Sequence, residues 1–549
     1  MTMAGGSAAR EGAASAHADR FVREQLPPRE LWPVLDFSTA PGLRYPPRLN
    51  CAAELLDRWV ERGDGERTVI HWPGGRWSYR ELMETANRIA NVLVEDLGLA
   101  TGGRVLLCGP NHPMLAACWF AVLKAGGVCV TTMPLLRARE LAHVMEKARV
   151  GIALCDARVT AESERAGASA GLGRLVCYND HGPGTLEDMM RRRPATFRNV
   201  DTAADDPALV AFTSGTTGKA KGTVHFHRDV LTICDCFPCH VLRATRDDVF
   251  CGSPPLGFTF GLGGILLFPM RIGASTLLLE QAQPPRLLEG MQEFGTSVCF
   301  TAPTAYRTMA GMAGEYDLSR LRLCVSAGEH LPAATFERWR DATGLSIIDG
   351  IGSTEMLHIF ISASGSDIRP GSTGKVVPGY RARVVDEEGR ELPPGTIGHL
   401  AVQGATGCRY LADPERQAGY VRGGWNYPGD SYCMDDEGYF WYQARTDDLI
   451  VSSGYKISGP EVENALLDHR AVLECGVVGV PDVERGQIVK AFIVLRDGRR
   501  PDPALTKELQ EFVKGQIAPY KYPRAIEFVD ALPRTETGKL QRYRLREGA

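Results

Sequence analysis

Short apolar runs recur along most of the chain, at Arg104–Cys108, Val128–Val130, Val150–Leu154, Ala208–Phe212, Ser297–Phe300, Leu321–Val325 and Leu345–Ile348, and each leads into a glycine, proline or polar loop. A strand that is apolar on both faces must be covered on both faces, which is the pattern of a parallel sheet under helices. Pro113–Ala125 has the length of a crossover helix, so Arg104–Cys108 and Val128–Val130 read as a βαβ unit. Ahead of it, Ser78-Tyr79-Arg80-Glu81 forms a capping box, and Leu82, Ala86, Ile89 and Leu93 follow at helical spacing, predicting an amphipathic helix that ends near Leu97. Ligands of open α/β sheets bind at the carboxyl ends of the strands, so the loops after these runs are where function is expected.

At 549 residues the chain exceeds one ordinary core. Gly398–Val402 and its Gly-, Pro- and Tyr-rich surroundings suggest short antiparallel strands, a small barrel or sandwich closing a large α/β domain. After Arg445 the pattern changes to a helix at Pro460–Leu467, strands at Val472–Val480 and Ala491–Leu495, and a helix at Leu505–Ile517, which make a compact α+β module. The expected organisation is a disordered Ala/Gly/Ser-rich start over 1–20, a large N-terminal domain over 21–446 and a small C-terminal domain over 447–549. No internal repeat is visible.

The start lacks the apolar core of a secretory signal, and the apolar stretch 261–279 is broken by Pro269 and Arg271 and falls short of a bilayer span, so a cytoplasmic protein without membrane contact is expected. A net charge of −4 gives no footprint for nucleic acid. Fifteen cysteines without paired spacing fit reduced thiols. Cys236-Phe237-Pro238-Cys239-His240 matches the c-type haem string, but that attachment requires export; as a zinc site it lacks a second ligand pair, and core thiols on a helix are the better account.

The richest loop is Thr213-Ser214-Gly215-Thr216-Thr217-Gly218-Lys219-Ala220-Lys221-Gly222, delivered by the strand Ala208–Phe212. Glycines let the backbone turn its N–H groups onto one anion, and hydroxyls and two lysines add donors and charge, so a phosphate is the expected ligand. Its glycine spacing is not that of a Walker loop, and no Ser or Thr follows Lys219.

The whole string resembles the phosphate loop of the adenylate-forming superfamily, which holds acyl-CoA synthetases, peptide-synthetase adenylation domains and luciferases; Ala220 stands where that family usually has proline. Further motifs of the family follow in its order. Asp349-Gly350-Ile351-Gly352-Ser353-Thr354-Glu355 resembles the adenine and magnesium motif, with Ile351 at a usually aromatic position. The resemblance puts Thr354 on the α-phosphate and Glu355, with Thr216, on Mg²⁺. Tyr427-Pro428-Gly429-Asp430 resembles the motif whose aspartate holds the ribose hydroxyls, joined there by Arg445, while Asp447 matches the hinge residue between two domain orientations. Ser453-Gly454-Tyr455-Lys456 is similar to the loop lining the pantetheine tunnel, and Pro533–Lys539 to the motif of the catalytic lysine, here Lys539.

The fold the resemblance implies is that of a large domain of helix-covered parallel sheets with a small β-barrel-like part, and a mobile α+β domain. The activity it implies has two steps. A carboxylate attacks the α-phosphate of Mg-ATP while Lys539 offsets negative charge, and then the small domain turns about Asp447 and a thiol attacks the acyl-adenylate. The family's acid pocket maps onto Phe226 and His227, Phe258, Ala327 and Gly328, Ile351, and His358. The segment Phe258-Thr259-Phe260 has no aspartate to pair with an ammonium, which disfavours an α-amino acid, and the aromatic residues suit a flat aromatic acid. The stretches 349–360 and 253–264 look like benzoate-CoA and 2-aminobenzoate-CoA ligases. The chain ends ten residues after Lys539, so the thiol is expected in trans, from coenzyme A or else a separate carrier protein. A downstream acyltransferase is a further conceivable partner, and a non-catalytic nucleotide-binding relative is the alternative from another class.

Overall fold

The computed structural model describes residues 13–213, 220–452, 455–482, 485–496, 499–534 and 540–547, with backbone alone at 447, 451, 455 and 456. Two helix-covered sheets carry the large domain. One has six strands in the order Arg174–Tyr178, Ile152–Asp156, Arg104–Cys108, Val128–Thr132, Pro207–Thr213 and Lys221–Phe226, all parallel except the last pair. The other has nine, with a parallel centre of Ile347–Gly352, Leu323–Ala327, Val298–Thr301, Val249–Gly252, Ser275–Leu277 and Thr68–Trp72, and antiparallel strands at both edges.

The helices form where periodicity and caps predict them. Ser78 Oγ accepts from the Glu81 backbone N–H at 3.2 Å and Glu81 returns a carboxylate oxygen to the Ser78 N–H at 2.7 Å, opening the helix Tyr79–Asn91, which widens into a π-turn over Val92–Asp96. Pro113–Lys124 is buried all round, as a helix between two layers must be. Its one charge, Lys124, is neutralised by Asp57, which also takes a hydrogen bond from Asn199; removing either partner of such a buried pair leaves an uncompensated charge. Two strands start later than their apolar runs. Leu321 and Leu345 belong to turns, with the Leu345 N–H on Thr343 Oγ1, and they pack on the helical layer instead of joining the ladder.

The two sheets present their carboxyl ends to each other. A Cβ on Gly257, in the loop after Val249–Gly252, would lie 2.4 Å from the carbonyl oxygen of Thr132, which ends a strand of the other sheet. Asn111 clamps the same loop, donating to the Pro254 carbonyl at 3.0 Å and accepting from the Leu256 N–H at 2.7 Å. The apolar stretch around 261–279 folds into consecutive short helical pieces, Thr259–Leu262, Gly263–Leu267 and Phe268–Ile272, packed in the core, and among the described residues no helix is long and apolar enough to cross a membrane. All fifteen cysteines are free thiols.

An antiparallel sheet over 380–445 follows, centred on Ile397–Gly404. The chain then passes through a single 3-10 turn, Thr446–Asp448, into a hairpin of Ile450–Ser452 and Tyr455–Ile457 and a module with its own core: strands Val472–Asp482, Gly486–Leu495 and Ala525–Phe528 under the helices Gly459–Leu467 and Pro503–Gln516.

One expectation is corrected. The disordered start over 1–20 does not extend through its second half: the Ala16 N–H donates to Asp206 at 2.9 Å, the Ala18 N–H to Thr101 Oγ1 at 2.9 Å, His17 is buried, and Asp19 pairs with Arg104. A small-residue composition hid the segment's anchors, which lie in distant strands and loops. Residues 1–12 lie outside the described set.

Candidate active site

Thr213 ends its strand opposite Lys221, which begins the next strand of an antiparallel pair. Ser214, Gly215, Thr216, Thr217, Gly218 and Lys219 lie outside the described residues, as do Gly454 and Lys539, and so do the side chains of Asp447, Tyr455 and Lys456.

The strand Lys221–Phe226 alternates its faces. His225 points to the site, where its Nε2 lies 2.8 Å from the Thr354 carbonyl. A carbonyl only accepts, so the proton sits on Nε2, and burial lowers the imidazole pKa to about 4, leaving the ring neutral. Phe226 points the other way, into a separate core cluster, with the Arg409 guanidinium 4.2 Å above its ring and Trp32 at 5.9 Å. His227 accepts from the Cys51 N–H at 3.2 Å, and its imidazole, lowered to about 3 by burial, is surrounded by core residues near His17 and Asp206. Phe226 is therefore a packing residue and not a pocket wall, a correction to the expected acid site, while His227 opens the next helix, buried and with its Nε2 left without a partner among the described residues. The period of two separates neighbours onto opposite faces, and only the partner sheets reveal which face is which.

Thr354 and Glu355 follow the strand Ile347–Gly352 in a tight turn, in which the Leu357 N–H reaches the Thr354 carbonyl at 3.1 Å and Leu357 takes a left-handed φ of 71°. Gly352 is required there: a Cβ would lie 2.7 Å from the His358 backbone. The Glu355 carboxylate is nearly buried and is aimed by Tyr410, whose hydroxyl donates to Oε1 at 2.6 Å. Tyr410 reaches it because residues 409–411 run along Lys221–Phe226, with the Val224 N–H on the Arg409 carbonyl and the Leu411 N–H on the Gly222 carbonyl. The Lys221 ammonium lies 5.6 Å over the Tyr410 ring, so the two ends of the phosphate loop and Glu355 share one wall.

Asp430 and Arg445 are cross-strand partners joined at 3.0 Å, and the same guanidinium nitrogen donates to the Pro428 carbonyl at 2.9 Å. Gly429 has φ 82°, and a Cβ there would lie 2.9 Å from Arg445, which is the physical content of the Pro-Gly-Asp turn. Tyr420 links the two groups. Its hydroxyl contacts Ser353 Oγ at 3.3 Å, and its pKa is pushed well up by burial and by the nearby carboxylates of Glu355 and Asp430. Asp349 keeps some solvent contact but turns its carboxyl into a cavity of about 10 Å³ beside Leu331, Phe336 and Thr373, where desolvation pushes its pKa up to about 8.

Ala327 pairs in register with Gly350, next to Ile351, and Gly328 turns away with φ 92°, so these two and Ile351 form one continuous edge. Phe258 caps the short helix Thr259–Leu262 from the loop clamped by Asn111. His358 is buried in a cage of rings: Phe268 at 4.4 Å, Phe260 at 5.7 Å, Phe237 at 6.0 Å and Phe300 at 6.3 Å. Its Nε2 is 3.4 Å from the Phe260 carbonyl, its Nδ1 has no partner among the described residues, and burial lowers its pKa to about 3. Sequence reasoning counted Phe260 among the aromatic residues of the expected pocket but gave no sign that Phe237, Phe268 and Phe300 pack on His358, or that Tyr410 and Tyr420 reach Glu355 and Ser353. Phe300 alone carried a signal, its place at the carboxyl end of an apolar strand.

The chain matches the AMP-binding enzyme family over residues 56–409 and the C-terminal domain of AMP-binding enzymes over 461–539. It is 37% identical over 521 residues to a benzoate–CoA ligase of Thauera aromatica, covering 93% of this chain and 99% of that enzyme. Among solved structures it is similar to the anthranilate-CoA ligase AuaEII in complex with anthranoyl-AMP, with TM-score 0.87 and 34% identity over 92% of this chain and 98% of that one. It is also similar to a benzoate-CoA ligase from Burkholderia xenovorans LB400, with TM-score 0.82 and 31% identity over 90% and 99% of the two chains.

Proposed function

Because this chain belongs to the AMP-binding enzyme family, we propose that it activates 2-aminobenzoate with ATP and passes the acyl group to coenzyme A, with benzoate as the alternative acid. At the coarser level it is an AMP-forming acid–thiol ligase of the acyl-CoA type. In the first step a carboxylate oxygen bonds to the α-phosphorus and pyrophosphate leaves. In the second a thiol sulfur bonds to the acyl carbon, AMP leaves, and the thiol proton passes to solvent.

This chain's residues divide the work. The ends of the phosphate loop, Thr213 and Lys221, flank the pyrophosphate side with Ser214–Gly218 between them, and Asp430 with Arg445 holds the ribose. Asp349, Gly350, Ile351 and Gly352 flank the adenine, Thr354 meets the α-phosphate, and Lys539 offsets the charge that develops as the carboxylate attacks. Glu355 suits a magnesium ion: it is a carboxylate with one oxygen held by Tyr410, and Mg²⁺ takes oxygen ligands. With Thr216 it would hold the ion, which shields phosphate charge. Gly454, Tyr455 and Lys456 receive the pantetheine arm in the second step.

The observation that carries the choice of acid is the ring cage around His358, four residues beyond Thr354. Flat apolar walls fit a benzene ring. Because Nε2 faces a carbonyl it bears the proton, so Nδ1 carries a buried lone pair with no partner among the described residues, surrounded by apolar rings. An ortho amino group supplies the N–H that this lone pair accepts, and benzoate does not. The test is acid-dependent pyrophosphate release over 2-aminobenzoate, benzoate, hydroxybenzoates and short fatty acids. The highest kcat/KM is expected for 2-aminobenzoate; a preference for benzoate selects the alternative, and a preference for fatty acids rejects the aryl reading. Thioester formation with coenzyme A against a holo carrier protein separates the two acceptors, and no release with any acid would revive the non-catalytic alternative.

A further inference from the structure

Four charged side chains of alternating sign cross from the small domain to the large one. Arg534 donates to Glu474 at 3.0 Å, Arg307 also binds Glu474, and the other arm of Arg534 lies 4.0 Å from Glu329. Arg307 is on the helix Pro303–Met309 of the large domain, Glu474 is on the strand Val472–Asp482 of the small one, and Glu329 directly follows Ala327 and Gly328 of the pocket edge. These side chains are between 18% and 29% exposed, covered enough that solvent screens them less than a surface pair. The burial that raises the Glu474 pKa is outweighed by Arg307 and Arg534, which hold it below the usual range.

The next residue in the chain docks as well. His330 stacks on Tyr442 at 5.4 Å, and Asn464, on the small-domain helix Gly459–Leu467, lies 3.4 Å from its Nε2. Two consecutive residues of the pocket-edge loop thus hold the small domain. On the other side, Arg534 forms an antiparallel bridge with Leu540, and Lys539 follows Arg534 by five residues.

We propose that Arg534 is a positioning residue: through Glu329 and Glu474 it seats the small domain in the arrangement that serves acid activation, and its contact to Glu329 must break before thioester formation. The inference rests on the reading of the chain as a two-step ligase. An ion pair made in only one of two arrangements shifts their ratio by its own free energy, and a shift of about tenfold needs only about 1.4 kcal/mol.

Arg534→Ala should lower acid-dependent pyrophosphate release about tenfold while leaving thioester formation from supplied acyl-adenylate and coenzyme A unchanged or faster. Arg534→Lys should retain most of the first rate, and Glu329→Gln should cost nothing further once Arg534 is gone. Equal losses in both half-reactions, or additive losses in the double variant, overturn the proposal. Tryptic cleavage after Arg445, at the domain boundary, needs no substrate: it should speed up in Arg534→Ala, and an unchanged rate also overturns the proposal. Wild-type protein that releases no pyrophosphate with any acid, in a background where cleavage still responds to Arg534→Ala, would reject the ligase reading and leave the docking role standing.

Discussion

Tyr410 illustrates how a single hydroxyl can set the state of a charged ligand. Glu355 is 9% exposed, and its Oε1 is held by the Tyr410 hydroxyl at 2.6 Å. Tyr410→Phe keeps the ring under Lys221 but leaves that oxygen without its donor, a loss of about 1–3 kcal/mol for a buried group. Pyrophosphate release should fall about tenfold and the Mg²⁺ concentration for half-maximal rate should rise; an unshifted Mg²⁺ titration would refute the aiming role. Asp349 makes a second residue-scale prediction, this one in pH. Its pKa is raised from an ordinary carboxylate value to about 8 by desolvation. Between those two values the folded state binds a proton that the unfolded state does not, so this group's stabilising contribution is lost as pH rises, most completely above about pH 8. Asp349→Asn removes the ionisation. Relative to wild type, the variant should gain urea resistance between pH 5 and pH 9, and a constant difference between the two proteins across that range would contradict the raised pKa.

Whole elements explain what could be read from sequence. Asp430 and Arg445 were legible because a Pro-Gly-Asp turn and a strand end fix both in their own neighbourhoods. Thr354 and Glu355 were legible for a similar reason, since Gly352 and the turn after it admit little else. Tyr410 was not, because it reaches Glu355 only when residues 409–411 lie along Lys221–Phe226, a pairing with no local signature. Phe226 misled because aromatic character was legible and facing was not. The ring cage came from four separate elements, which periodicity cannot assemble. The helix Gly263–Leu267 carries a prediction of its own, since a Cβ on Gly263 would lie 2.4 Å from His358 Cδ2, and real atoms do not approach so closely. Gly263→Ala must push the imidazole or the helix aside. The expected result is a loss of about tenfold in the kcat/KM preference for 2-aminobenzoate over benzoate, on the scale of one hydrogen bond in a buried pocket, with the melting temperature lowered by a few degrees. Competition between the two acids in one reaction reads the ratio directly, and an unchanged ratio would show that His358 does not select the ring substituent.

At the scale of the molecule, the two activities asked of one site belong to different halves of the chain. In the large domain Tyr410 holds Glu355, and Asp430 pairs with Arg445. The small domain has a separate core and is joined by one short turn at Thr446–Asp448, with Glu329 and His330 docked on it. That division predicts a clean separation of steps. Lys539→Ala should cost adenylation a factor on the order of 10²–10³, the effect of deleting one preorganised donor at a developing charge. Thioester formation from supplied acyl-adenylate should survive, because in the proposed second step Gly454, Tyr455 and Lys456, and not the lysine, receive the thiol's arm. A quenched-flow comparison of the two half-reactions in the same preparation tests this, with the unfolding midpoint as a control for damage. Near-wild-type adenylation would remove Lys539 from the mechanism. Equal loss in both steps would mean that the lysine supports the small domain's structure, and the separation of the steps between the two domains would then fail.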